Sequence, residues 1–214
     1  MVNAQEAAVW IGMSKSLHGE REGIYRATLN LKTGAISSPE LAAAIGEPEF
    51  LTLHPNGTRL YAECQLTGGK PGVAAYEISA DKKSLKLLNT QPIEDGNACH
   101  LATDRSGRCL FTAQYGTGSV AMFPLAEDGS IRPRSALVRQ SGTGPDKSRQ
   151  EGPHPHWVGT DPQNRFLFVP DLGTDKVVIY EMDLKRGTIK PHGYGTCPPG
   201  SGPRHFAFHP NGKF

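Results

Sequence analysis

Apolar and polar positions alternate along this chain in short runs, and one composite pattern returns four times. The segments are EFLTLHPNGTRLYAE (49–63), CHLATDRSGRCLFTA (99–113), HWVGTDPQNRFLFVP (156–170) and RHFAFHPNGKF (204–214). Each reads as an apolar strand, a polar turn and a second apolar strand. The turns begin at His54, Asp104, Asp161 and His209, at intervals of 50, 57 and 48 residues. Two further strands follow within each interval: 73–79 and 85–91, then 119–125 and 131–137, then 176–183 and 188–195. Turn clusters such as AEDGS and LKRGT separate them. Upstream, 7–12, 24–30 and 35–41 read as the second, third and fourth strands of an earlier unit. No amphipathic helix of three turns is visible, and 41–46 is too short to be one.

Four-stranded antiparallel units of about fifty residues predict an all-β fold, a β-propeller. One small sheet cannot bury both of its faces, whereas neighbouring blades cover each other around a central channel. A solenoid of β-hairpins or a pair of β-sandwiches fits the pattern less well. The expected blades cover 1–46, 47–96, 97–153 and 154–201, with the start of another at 202–214, all in one partial propeller domain. The first blade lacks an innermost strand, which a ring takes from the far end of its chain. The sequence stops at Phe214, inside what should be a second strand. The expectation is therefore about four blades and a stub of a longer ring.

Composition changes this picture little. Among 214 residues there are 25 Gly and 17 Pro, as many short strands and turns require. Net charge is +2, from 23 basic and 21 acidic residues, which offers no nucleic-acid or membrane surface. No run approaches the ~18–20 apolar residues that cross a bilayer. The first residues, MVNAQE, form no leader, so a cytoplasmic location is expected, or a secreted or periplasmic one if a leader has been removed. Cys64, Cys99, Cys109 and Cys197 form no CxxC pair and read as reduced, mostly buried thiols.

At the level of motifs the chain resembles the seven-bladed β-propeller lactonases, which include propeller-type 6-phosphogluconolactonase and carboxy-cis,cis-muconate cyclase. The resemblance runs over nearly all of the sequence. It is carried most specifically by RQEGPHPHWV and GPRHFAFHPNGKF, while the HPNG turn is shared by many propellers. It implies about seven blades, lactone ring chemistry at one mouth of the channel, and no metal or other cofactor. It also implies an Asn-Glu pair in the strand after the GPRH segment, beyond Phe214, so the acidic member of such a site is not in this sequence.

Opening or closing a lactone needs a donor for the developing negative charge, a group that moves a proton near neutral pH, and cations for an anionic tail. His100, Trp157 and His205 align four residues before their turns, and Cys99, His156 and Arg204 align one position earlier. Such positions open the innermost strand of successive blades and converge on the channel mouth. His100, His156, His205 and Arg204 are the candidate catalytic set. A single imidazole there would more simply cap a strand or bond a loop carbonyl. His154 and His156 form an HxH pair that would share one face of an extended segment and bind zinc with a third imidazole, but Pro153 and Pro155 favour a loop.

The long polar stretch from Ser141 to Pro153 reads as a flexible loop between blades. Arg149, Gln150 and His154 are candidate substrate-binding residues there, with Glu151 a possible base. Asp171, whose counterparts read as Gln65 and Gln114, is expected to cap a turn first and face the mouth second, and Tyr115 is expected to line the same opening. The leading functional expectation is a lactonase acting on a sugar-acid lactone of the 6-phosphogluconolactone type. A muconate cycloisomerase is the alternative within the fold, and a non-catalytic binding scaffold the alternative outside enzymes. The expected partner is a small anionic lactone or a dicarboxylate, with the oligomeric state left open.

Overall fold

A computed structural model of the chain describes residues 5–15, 22–212 and 214. Fifteen strands follow one another among the described residues. The first sheet holds β1 (Glu6–Met13), β2 (Gly23–Asn30) and β3 (Glu40–Ala43). The second holds β4 (Leu51–Leu53), β5 (Arg59–Leu66), β6 (Lys70–Ile78) and β7 (Leu85–Pro92). The third holds β8 (His100–Thr103), β9 (Cys109–Gln114), β10 (Ser119–Pro124) and β11 (Ala136–Arg139). The fourth holds β12 (Gly159–Thr160), β13 (Phe166–Asp171), β14 (Lys176–Asp183) and β15 (Thr188–Thr196). Within each sheet the strands lie in chain order and pair antiparallel, as propeller blades do. The short first strands face one another, β4 against β8 and β8 against β12.

Three apolar layers separate the four sheets, and strand alternation assigns residues to them. On β5, Leu60, Ala62 and Cys64 pack toward the first sheet with Ile24, Ala74 and Tyr76. Tyr61 points the other way, into a layer with Val73, Leu101, Leu110 and Phe123. On β9, Leu110 joins that layer while Cys109, Phe111 and Ala113 pack with Val158, Leu167, Val169 and Tyr180. Both faces of the central strands are thus buried, which is why they read as nearly continuous apolar runs.

The turns after the first strands share one design. Gly57, Gly107 and Asn164 take the same left-handed backbone, φ 70°, 70° and 59°, and donate their N–H to His54, Asp104 and Asp161. Asp104 Oδ1 accepts the Arg108 and Cys109 N–H groups at 2.6 and 2.7 Å, and Asp161 repeats this with Arg165 and Phe166. In the second blade His54 Nδ1 accepts the Asn56 N–H instead, so its Nε2–H donates to the Gly107 carbonyl of the next blade at 3.0 Å. Asn164 Nδ2–H donates in turn to Asp104 Oδ2 at 2.9 Å. These turns lock neighbouring blades at the end of the inner strands opposite to where those strands begin.

Several expected boundaries shift. Strand 131–137 becomes β11 at Ala136–Arg139, preceded by a single bridge between Leu125 and Ile131; Pro133 lacks the N–H a continuous ladder needs. Strand 35–41 becomes β3 at Glu40–Ala43 after a bridge from Ile36 to Leu29, with Pro39 between. The described residues of 204–214 form no strand: each first strand pairs with the second strand of its own blade, and here that strand would begin at the last residue. The register also corrects the counterpart of Asp171. Leu51 pairs with Ala62 and Leu101 with Thr112, so Cys64, not Gln65, matches Gln114 and Asp171.

Burial and hydrogen bonding hold the Asp104 carboxyl in opposition. Burial raises its pKa, but donors from Ser106, Asn164 and the Cys109 backbone outweigh this and keep it below the ordinary carboxylate range. Asp104→Ala is expected to lower the unfolding free energy by about 2–4 kcal/mol, with Asp104→Asn costing less. Urea unfolding of the full chain measures both; an Asp104→Ala variant as stable as the parent contradicts the turn's role.

Candidate functional site

The positions that open the inner strands form two aligned rows. Phe50, His100, Trp157 and His205 make one row, and Glu49, Cys99, His156 and Arg204 the other. Sequence reasoning reached these rows only from the third blade onward; extending the same alignment by one repeat supplies Glu49 and Phe50. His100 is the centre of the first row. His100 packs on Phe50 with ring centroids 4.2 Å apart, on Trp157 at 5.5 Å and on His205 at 6.5 Å. His156 joins from the second row, 5.4 Å from His205 and 5.8 Å edge-on from Tyr115. The expected imidazoles therefore stand together, with Arg204 acting electrostatically on His156.

Their protonation states differ by environment. His100 is 7 % exposed, and burial, then His205 and His156, push its pKa down to about 3. The ring is neutral at pH 7. Its Nδ1 accepts the Val158 N–H at 3.3 Å, which places the proton on Nε2. His156 also titrates below the ordinary histidine range, through burial, then Arg204 and His205. Its Nδ1 is buried and meets no protein partner. His205 and Arg204 are exposed. Cys99 lies behind this group with its thiol toward the Ala113, Pro155 and His156 carbonyls, and burial, then Glu63, pushes it up to about 11. It is a thiol at neutral pH, unsuited to nucleophilic attack.

The second set of candidates is arranged differently from expectation. The 141–153 segment is tied down rather than flexible. Gln150 is 2 % exposed; its Oε1 accepts the Asp146 N–H, and its Nε2–H donates to Leu172 O and Asp175 Oδ1, both at 2.8 Å. Those bonds use the amide to anchor the loop, so Gln150 is corrected from substrate contact to loop anchor. His154 is likewise occupied: its Nδ1 meets the Tyr115 carbonyl at 2.8 Å, its Nε2 meets Glu151 Oε1 at 3.0 Å, and its ring stacks on Tyr115 at 4.3 Å. The HxH pair is thereby split, with His154 facing the loop and His156 facing His205. Asp171 is fully buried, and its Oδ1 accepts the His154 and Gly173 N–H groups. The turn-capping half of that expectation describes its position. Tyr115 connects the two regions, because Arg149 Nη2–H donates to its hydroxyl at 3.3 Å. Among the described residues, no three His, Cys, Asp or Glu groups stand arranged to hold one metal ion.

One ionisable group was missed. Glu63 is 4 % exposed in the middle of β5, between Ala62 and Cys64. Burial, reinforced by Glu49 and eased by the Phe50 N–H, pushes its pKa up to about 8. The available signal was an acid inside an otherwise apolar strand.

A family model described as a seven-bladed β-propeller lactonase matches residues 8–214. The chain belongs to this family. A Bacillus subtilis (strain 168) protein named 6-phosphogluconolactonase is 39 % identical over 196 residues, covering 92 % of this chain and 55 % of its own length. A Formosa agariphila 6-phosphogluconolactonase is 34 % identical over 204 residues, covering 90 % of this chain and 56 % of its own. The chain thus spans about half the length of the curated relatives it matches. The solved structure of a Pseudomonas aeruginosa periplasmic gluconolactonase superposes with a TM-score of 0.85 at 26 % identity, over 97 % of this chain and 60 % of that one. No helix among the described residues is long and apolar enough to cross a membrane.

Glu63 and His100 give opposite pH dependences of stability. Glu63 has a raised folded pKa, so the folded state holds the extra proton and stability falls as pH rises from about 4.5 to about 8. His100 has a depressed one, so stability falls as pH drops from about 6.5 to about 3. The two oppose each other between about pH 4.5 and 6.5, and Glu63 alone acts above that. Glu63→Gln should remove the decline between pH 6.5 and 8, a gain on the order of a few kcal/mol at pH 8. Denaturant unfolding at the two pH values checks this; an unchanged decline in the variant refutes it.

Proposed function

We propose that this chain carries the histidine and arginine part of a lactone-hydrolysing site, with a sugar-acid lactone of the 6-phosphogluconolactone type as substrate. The observation that carries the reading is the meeting of His100, His156 and His205, two of them held neutral, beside Arg204. Family membership supports the same reaction class, and the names of the Bacillus and Formosa relatives support the substrate.

In this reading neutral His156 accepts a proton from a water whose oxygen bonds to the lactone carbonyl carbon. The carbonyl oxygen gains negative charge, and the His100 Nε2–H and the Arg204 guanidinium are the donors that stabilise it. Collapse breaks the ring C–O bond, and the leaving alkoxide takes the proton back from the His156 imidazolium. The net change is addition of one water to give a hydroxy acid. Arg149, braced by the Tyr115 hydroxyl, supplies a cation for the anionic tail.

In the full-length protein, His156→Asn is expected to lower kcat about 100-fold or more with KM little changed, as loss of a proton-transfer group does. Arg149→Ala should instead raise KM for a phosphorylated lactone more than it lowers kcat. Steady-state lactone hydrolysis, with circular dichroism to check folding, makes the comparison. Full turnover in a His156→Asn, Arg204→Ala double variant would rule the reading out.

A further inference from the structure

Beside the imidazole group, between the second and third blades, a cavity of about 250 Å³ opens next to the start of the inner strands. Its lining includes Glu47, Glu49, Glu63, Gln65 and Asn97. Each of these side chains carries an oxygen able to serve as a ligand. The remaining sulfur neighbour, Cys64, is pushed up to about 12 by burial and then by Glu63, so it stays a thiol and offers no thiolate. No lysine, arginine or histidine side chain lines this cavity among the described residues.

Glu63 is the unusual member. It is 96 % enclosed by the fold, yet its Oε1 has no hydrogen-bond partner. A buried carboxyl with an open oxygen costs free energy that an ordinary core residue would avoid. The equivalent positions in the next two blades are Ala113 and Pro170, which carry no such cost. Glu49 adds to it by standing nearby with the same charge. A cation seated between the two carboxylates reverses both penalties, since it supplies the missing partner and converts repulsion into attraction.

We propose that this cavity is a binding site for a hard divalent cation of the calcium type, held by the carboxylates of Glu63 and Glu49 and the amide oxygens of Gln65 and Asn97. An all-oxygen donor set excludes the soft and borderline metals that thiolate and imidazole select. Two carboxylates from two different chain segments, with neutral oxygens and water completing the shell, suit the irregular six-to-eight coordination that calcium accepts. The volume admits the ion together with several waters, at about 30 Å³ each. The acids do not already stand as a three-carboxylate cage. Glu49 is exposed and free of the core, so its rotation toward Glu63 closes the site. The site is separate from the lactone chemistry and does not depend on it.

The test is thermal unfolding of the full-length protein against calcium chloride, with magnesium chloride and ammonium chloride of matched ionic strength as controls. Calcium is expected to raise Tm saturably, by about 3 °C or more at saturation. Glu63→Gln keeps shape while removing charge and should abolish the shift; Glu49→Gln should move its midpoint at least tenfold higher in calcium. The proposal fails if calcium leaves Tm unchanged, if the Glu63→Gln variant shows the same shift as the parent, or if ammonium produces an equal shift. Because Glu63→Gln is expected to be at least as stable as the parent, loss of folding does not confuse the result.

Discussion

Each central blade of this chain is apolar on both faces, and that constraint organises the rest. Along β5, Leu60, Ala62 and Cys64 serve one layer and Tyr61 the next; along β9, Leu110 serves one and Phe111 the other. A four-stranded sheet of this kind exposes a large apolar surface unless a second sheet covers each side. Burying about 25 cal/mol per Å² of that surface favours stacking of blade on blade. The turns at His54, Asp104 and Asp161 then fix the angle between neighbours through side chains that reach the adjoining turn, His54 and Arg105 forward and Asn164 back. Stacking brings the beginnings of the inner strands together, and so decides which side chains share the mouth.

What gathers there is electrostatically divided. From the third blade onward the aligned positions include three imidazoles and a guanidinium, and the protein lowers the pKa of His100 and His156 first by enclosing them and then by their neighbours, among them Arg204 beside His156. In the second blade the same position carries Glu49, backed by the buried Glu63. One side of the opening is therefore suited to anions and proton transfer, the adjoining side to cations. The Cys99 thiol, raised first by burial, feels both sides, raised further by Glu63 and lowered by Arg204.

Much of the fold was legible because a repeated strand–turn–strand pattern with a left-handed residue in each turn leaves few alternatives. The imidazole set was legible for the same reason: one position per repeat, read in register. Side-chain partnership was not. Gln150 and His154 looked available because they sit in a polar, proline-rich stretch, yet Asp146, Leu172, Tyr115 and Glu151 take up their polar atoms. Glu151 and Asp146 are near in the chain, but nothing in RQEGPHPH names the distant Leu172 and Tyr115. Glu63 is visible as an acid inside an apolar strand, but the strand does not show that one of its carboxyl oxygens is left without a partner. The single-residue slip that matched Gln65 to Asp171 arose because the second blade's HPNG turn has Thr58 where the next two have Arg, which obscures the register by one.

The central claim is that enclosure and Arg204 keep His156 ready to accept a proton. The pH profile of kcat/KM for lactone hydrolysis by the full-length protein, measured with and without Arg204→Ala, tests it most directly. The account predicts an acid limb with its midpoint below the ordinary histidine value of 6.5, moving upward when Arg204 is removed. A limb at or above 6.5, or one that stays in place in the variant, would contradict it.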